Sequence, residues 1–379
     1  MNKLKQFNIC LSKSREALML NIGVMARRKG KSFFESNYFR HLHKEGEKLG
    51  LNVYFFGHED VHVTKRLVDG YVPERNGGWA KKPFPWPDIV IDRYRSGWTP
   101  SFKKLRNSGL LRIANPKFTT KNRATKLFLD TNSMSKWIPE TRPYHASAFK
   151  EMIKTHPILY LKPANGTGGA GVVQIRKGDN AISAQFRTRA MKVGKNRFPT
   201  IEKAAAAMNR WVKKENIRGG TFLLQQGLDL ELAQGRWADI RLFIQKNGSG
   251  NWEVTGIGVR QAAAGSPNTN LIAKGNKGYP FQSFMVKHFG EEKTRQIRLE
   301  CEELAHETVR VIENRFGSMM EFGMDIGIDR SGNVWLLEVN PKPCKDIMWK
   351  IGEFQNYLQT VRRPLQYAKF LADNASGTP

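Results

Sequence analysis

The chain has 379 residues, 40% of them apolar, and a formal net charge of +28; that length exceeds one ordinary core and predicts two or three packed units. The excess of lysine and arginine gathers anions, which favours nucleotides, nucleic acid or acidic peptides as partners. Cys10, Cys301 and Cys344 stand far apart with no second cysteine or histidine at ligand spacing, against a disulfide framework or zinc site. No stretch of signal-peptide or membrane-span length is present, so the expectation is a soluble, cytoplasmic protein without membrane contact.

In chain order, the apolar runs "ALMLNIGVMA", "LNVYFFG" and "PDIVIDR" alternate with "FFESNYFRHLHKEGEKLG", a helical pattern closed by glycine, and predict a small parallel α/β domain over residues 1–116. The turn-rich "PERNGGWAKKPFPWPD" reads as a long loop. From Lys117 a basic helical segment, "TTKNRATKLFLDTNSMSKWIPE", leads through a short helix to the hairpin "YLKPANGTGGAGVVQIRK". The following "ISAQFRTRAMKVGKNRFPTIEKAAAAMNRWVKKENIRGG" reads as helical and very basic. Beyond it come three strands, "TFLLQQGLDL", "DIRLFIQ" and "WEVTGIGVRQA", a long helix ending "VIENRFG", and two strands, "FGMDIGID" and "NVWLLEVN". The connections "KNGSGN" and "DRSGN" predict antiparallel hairpins.

Four glycines in "NGTGGAGV" allow the backbone to approach a ligand and aim several N–H groups at phosphate. The spacing fits neither the Walker pattern nor the dinucleotide fingerprint, and a plain hairpin tip is the alternative. Lys162 would set a cation at the root of that loop, unless it is an ordinary surface lysine. Glu338 and Asn340 lie two apart on one strand face, and Asp325 joins them across the hairpin. Three oxygen donors of this kind suit Mg²⁺, and a metal would relieve the cost of a carboxylate set into the apolar run "VWLLEVN". Asp239 and Arg241 share a strand face, and Arg260 ends the next strand. Arginine in apolar surroundings requires an anion, either a phosphate or the aspartate itself in a structural ion pair.

Taken in order, Lys121, Lys162 with its glycine hairpin, "LLQQGL", Asp-Ile-Arg, Arg260, Asp325 and Glu338-Val-Asn340 resemble the ATP-grasp superfamily, and more narrowly the YheC/YheD-type ATP-grasp proteins of endospore-forming bacteria. The resemblance covers nearly the whole chain. It implies an α/β and α+β fold: two lobes with antiparallel sheets, here a small lobe over 117–219 and a large lobe over 220–379, preceded by the α/β domain. It implies an ATP-dependent carboxylate–amine ligase that forms an amide or peptide bond through an acyl phosphate, with ATP and two Mg²⁺ ions as cofactors, Glu338 bridging the metals beside Asp325 and Asn340. By the same resemblance Lys121 and Lys162 meet the phosphates. Gly166, Thr167, Gly168, Gly169 and Gly171 close over them. Gln225, Gln226 and Gly227 meet the adenine edge, where many relatives carry a glutamate. Asp239 holds ribose, and Arg241 and Arg260 hold the γ-phosphate and intermediate.

For the second substrate, Arg93 and Arg95 follow a strand of the first domain, where ligand crevices are common, and are assigned to an acidic peptide or amino-acid-type molecule; chance surface arginines are the alternative. The basic residues Arg187, Arg189, Lys192, Lys195 and Arg197 are read as a solvated segment rather than a polyanion dock. The competing function is a basic nucleic-acid-binding or structural spore-associated protein that keeps an ATP-grasp scaffold. A scaffold has no need of the metal ligands, and nucleotide turnover separates the readings.

Overall fold

The computed structural model describes residues 19–30, 32–95, 99–116, 118–119, 121–164, 170–215, 221–232, 236–263 and 275–374, with the side chains of Lys121 and Asn122 outside that description. The first sheet contains β1 (Leu20–Met25), β4 (Leu51–Phe56), β5 (Val61–His62), β6 (Leu67–Pro73), β7 (Trp79–Pro85) and β8 (Ile89–Asp92); β2 (Arg28–Lys29) and β3 (Ser32–Phe33) form a separate ribbon. β4, β1 and β8 are parallel, as the three apolar runs predict. The stretch read as a long loop instead forms β7, antiparallel to β6. Pro83 and Pro85 cannot donate to a ladder, and β7 has β6 as its one strand partner among the described residues, an edge position that tolerates proline. Helix α1 (Ser36–Lys48) packs Phe39 and Leu42 onto this sheet, and α2 (Pro100–Asn107) starts at a Thr99 cap whose hydroxyl accepts from the Phe102 amide.

After α3 (Lys121–Leu129), the second sheet runs in the order β13-β12-β11-β10-β14-β9 and is antiparallel throughout. Its strands are β9 (Thr141–Pro143), β10 (Ile158–Pro163), β11 (Val172–Lys177), β12 (Ile182–Arg187), β13 (Val193–Phe198) and β14 (Phe222–Gln226). Leu159, Leu161, Val173 and Ile175 point to α4 (Ala146–Thr155) and α5 (Ile201–Glu215), leaving Tyr160 and Lys162 on the other face. The basic stretch expected to be helical throughout forms β12 and β13 before α5 begins. Lysine, arginine and glutamine carry good helix propensity, but cross-strand pairing from β11 outward decides the state. The cationic β13 is an exposed edge, where such charge discourages pairing with another chain.

The third sheet, ordered β17-β16-β15-β18-β19, carries β15 (Ala238–Lys246), β16 (Trp252–Gln261), β17 (Lys277–Pro280), β18 (Glu321–Ile328) and β19 (Val334–Asn340). Its apolar face, including Ile240, Leu242, Ile257, Val259, Met324 and Ile326, is buried under α6 (Phe281–Phe316), which turns at Gly290 (φ +74°). Ala124 and Phe128 of α3 join this core. α7 (Asp346–Lys350) and α8 (Phe354–Asp373) were not anticipated as elements. Tyr357, Val361 and Leu365 of α8 share one core with Ile22, Val53 and Phe39 of the first domain and Phe243 of β15. No helix among the described residues is long and apolar enough to cross a membrane.

Candidate active site

Period-two alternation along β15 sends Ile240, Leu242 and Ile244 into the core and turns Asp239 and Arg241 to the opposite face. Residues directly opposed in an antiparallel pair share a face, so the register carries the polar row across the sheet: Asp239 faces Arg260, Arg241 faces Asp325, Asp325 faces Glu338, and Gly323 faces Asn340. Arg260 donates Nε and Nη2 to the two Asp239 oxygens, each at 2.7 Å. Its Nη2 also lies 3.1 Å from Asp325 Oδ2, while Arg241 Nε donates to Asp325 Oδ1 at 2.6 Å. Burial alone would lower the Arg260 pKa; the carboxylates of Asp239 and Asp325 outweigh it and raise it.

Asp239, Arg241, Arg260, Asp325, Glu338 and Asn340 are therefore brought onto one face. Both Asp239 oxygens already serve Arg260, so in this arrangement it anchors the arginine. For a metal, the donors are two carboxylates and an amide, all hard oxygens of the kind Mg²⁺ takes. The arginine bonds use one lone pair on each Asp325 oxygen and leave the other. The set fits Mg²⁺ on that ground. Gly323 has no side chain where Pro343 crosses it; a Cβ there would lie 2.5 Å from the proline Cβ.

On the second sheet, Lys162 Nζ donates to Gln225 Oε1 at 2.7 Å, and Gln225 Nε2 donates to Thr141 Oγ1 at 2.8 Å. Burial holds the Lys162 ammonium below its usual pKa. Gln226 is tied to the backbone of Glu140, accepting from its amide at 3.2 Å. Gly227 donates its amide to the Ile158 carbonyl at 2.7 Å, and a Cβ on it would lie 2.9 Å from the Ile158 carbonyl carbon. Gly171 closes the base of the glycine hairpin at φ +75° against Pro163. Gly166, Thr167, Gly168, Gly169 and the Lys121 side chain lie outside the described residues.

The family model described as YheC/D like ATP-grasp matches residues 110–371. The chain belongs to this family. Endospore coat-associated protein YheD of Bacillus subtilis (strain 168) is 26% identical over 358 residues, covering 91% of this chain and 76% of that protein. Endospore coat-associated protein YheC of the same strain is 23% identical over 353 residues, covering 90% and 94%. Among solved structures, the D-cycloserine synthetase DcsG matches with a TM-score of 0.51 at 12% identity, over 93% of this chain and 99% of that one. D-alanyl-alanine synthetase A from Vibrio cholerae matches at 0.50 and 11%, over 94% and 99%. The VanG D-Ala:D-Ser ligase from Enterococcus faecalis matches at 0.50 and 12%, over 92% and 99%. At such identities the likeness is one of fold, and the fold is ATP-grasp.

This YheC/D-like ATP-grasp chain also carries a buried ionic cluster that the sequence did not disclose. Arg93 bonds Glu35 (Nη2 to Oε1, 2.8 Å), Glu321 (Nη1 to Oε1, 3.1 Å) and the Pro343 carbonyl (3.1 Å), and has no exposed side-chain surface. Arg95 shares Glu35 at 2.8 Å and is about one-third exposed. Lys345 pairs with Glu321 at 2.8 Å; burial, opposed by that carboxylate, lowers its pKa to about 8. Arg93, assigned from sequence to substrate, thus directs its described bonds within the protein. It fixes the segment that follows Asn340 to the first domain, and Lys342 does the same through Asp92 at 2.8 Å. The available signal was the two-residue period placing Glu321, Gly323 and Asp325 on one strand face.

Proposed function

We propose that the chain is an ATP-dependent carboxylate–amine ligase, working on an acidic amino-acid or peptide-type substrate through an acyl phosphate. The observation that supports this reading is the row of Arg260, Asp239, Arg241, Asp325 and Glu338 across four strands of the third sheet. Two arginines and three carboxylates share that face, cations for a polyphosphate beside acids for its metal. Asp325, Glu338 and Asn340 would hold Mg²⁺, which when bound would neutralise charge on the phosphates.

Lys162 and Lys121 would supply counter-charge to the phosphates, and the glycine hairpin is assigned the task of excluding water from the reactive mixed anhydride. The substrate carboxylate attacks the γ-phosphorus and ADP leaves. The amine then adds to the acyl carbon, phosphate departs, and the nitrogen loses a proton to give the amide. Negative charge spreads over the transferring oxygens at the first transition state. Arg241 and Arg260, oriented by Asp325 and Asp239, stabilise that state more than the ground state because their dipoles need no reorganisation. Gln225 positions Lys162, and the segment from Gln225 to Gly227 borders the adenine.

The test is product analysis by mass spectrometry in extract supplied with ATP, comparing the native chain with Glu338→Ala. The ligase reading expects ADP, phosphate and an amide product from the native chain alone. Formation of AMP, or an identical product spectrum from both proteins, would overturn it.

A further inference from the structure

A cavity of about 870 Å³ opens between α1 of the first domain and α7, beside the ionic cluster and apart from the phosphate-facing row. Its walls join two elements already tied together: the start of α1 and the segment that continues from Asn340 through Cys344 and Asp346 to Trp349. Five cationic side chains and two carboxylates line it, an excess of three positive charges. Among the described residues, Arg93, Arg95 and Lys345 pair with Glu35 and Glu321, three cations to two carboxylates. Arg95, partly exposed, shares Glu35 with the fully buried Arg93 and keeps capacity for a further anion.

Two further observations specify the missing anion. No side chain caps α1, so its first-turn amides at Ser36, Asn37 and Tyr38 lack an acceptor from a capping residue, and these three residues line the cavity. Tyr38 is 4% exposed, and its hydroxyl is buried with no hydrogen-bond partner among the described residues. Ser36, Asn37, Tyr38 and Arg95 thus bring helix-start amides, a hydroxyl and a guanidinium to one cavity wall, donor types that a carboxylate accepts from.

The rest of the cavity is aromatic. The His41 ring stacks on Trp349 at 5.4 Å, Nδ1 of His41 is 2.8 Å from the Tyr357 hydroxyl, and Trp349 and Phe34 stand 49% and 62% exposed at the rim. Large apolar rings left open at the mouth of a cavity mark a binding surface.

We infer that this cavity binds an amino acid or short peptide with a free carboxylate and an apolar or aromatic side chain, the carboxylate meeting Arg95, Tyr38 and the start of α1, the side chain lying against Trp349 and His41. No lining residue belongs to the Asp239–Arg260–Arg241–Asp325 row, so this carboxylate is held rather than activated. Resting on the ligase reading, the ligand is the amine-bearing partner in amide formation. Residues 344–349 then connect its subsite directly to the strand carrying Glu338 and Asn340.

Calorimetric titration without ATP tests this, using alanyl-phenylalanine, its C-terminal amide, alanyl-glutamate and inorganic phosphate against the native chain, Arg95→Gln and Trp349→Ala. The free acid should bind at least tenfold more tightly than the amide. Arg95→Gln should remove that preference, and Trp349→Ala should weaken alanyl-phenylalanine by tenfold while thermal unfolding shows a folded protein. Equal binding of acid and amide, stronger binding of phosphate or alanyl-glutamate, unchanged affinity in Trp349→Ala, or no binding at all would each overturn the inference. Glu338→Ala should bind the dipeptide normally. If it does, and the native chain still never releases ADP with any dipeptide, the subsite stands and the ligase reading falls.

Discussion

Arg241 and Asp325 face each other across the β15–β18 ladder, with the guanidinium Nε donating to Oδ1 at 2.6 Å. On the proposed ligase reading, the pair orients both the arginine assigned to phosphate and the carboxylate assigned to the metal. Asp325→Asn removes the charge but keeps the shape, leaving Arg241 and Arg260, both largely buried, short of a counter-ion. Stability should fall by about 2 kcal/mol, the scale of a hydrogen bond to a charged group. ADP release should fall at least ~100-fold, as when a preorganised charge is lost. Urea unfolding and coupled ADP assays measure the two effects separately.

Lys162→Met deletes a half-buried ammonium whose one described hydrogen-bond partner is Gln225. Nucleotide affinity should weaken by about 10- to 100-fold for ATP and ADP, matching one charge-assisted contact. Affinity for adenosine should hardly change. Fluorescence titration with the three ligands distinguishes lost phosphate contact from a damaged adenine site.

Arg93 connects Glu35, Glu321 and the Pro343 carbonyl. In Arg93→Ala two carboxylates lose a shared partner away from water, a change worth roughly 3–5 kcal/mol of stability. Arg93→Lys should recover only part of that, because one ammonium cannot reproduce the forked geometry. Denaturant midpoints of the two variants give the comparison, and a midpoint for Arg93→Ala equal to native would contradict the clamp.

The depressed pKa of Lys345, about 8, has a definite sign in stability. Between about pH 8 and the usual lysine value near 10.4 the unfolded chain binds the proton that the folded chain has released. Folding therefore becomes more favourable as pH rises through that window, by up to roughly 3 kcal/mol for this group. Below pH 8 both states are protonated and the dependence disappears. Chemical unfolding at pH 7.5 and 9.5 should show a smaller rise in Lys345→Met than in the native chain.

Gly227→Ala forces a Cβ to within 2.2 Å of Ile158 Cγ2 and 2.9 Å of the Ile158 carbonyl carbon. The side chain can rotate away, but the carbonyl carbon belongs to the β10 ladder. A loss of about 1–3 kcal/mol is expected from overpacking, read as a lowered Tm, with weaker nucleotide binding because the Gln225–Lys162 contact lies in the same strand pair.

Alternation in "ADIRLFIQ" was sufficient to place Asp239 and Arg241 opposite Ile240 and Leu242, whereas in "VWLLEVN" an irregularity at Leu337 moves the core face from Val334 and Leu336 to Val339 and so turns Glu338 and Asn340 to the polar face. The β12–β13 hairpin was hidden because its residues favour helix locally, and only its pairing with β11 makes it a strand. The α1–α7 cavity had no local signature, since its lining comes from segments about 300 positions apart.

Local order along the polymer thus settled which residues of β15 and β18 share a strand face, because a period of two is a property of the extended backbone itself, while the irregular pairing of β18 with β19 set the face of Glu338. It also settled the order of the cations, glycines and acids from Lys121 to Asn340. Tertiary packing decided which charge meets which: Arg93 finds Glu321 across 228 positions and Pro343 across 250. Such pairings depend on strand register and on the docking of α8 against the first domain, and neither is encoded in any short stretch of residues.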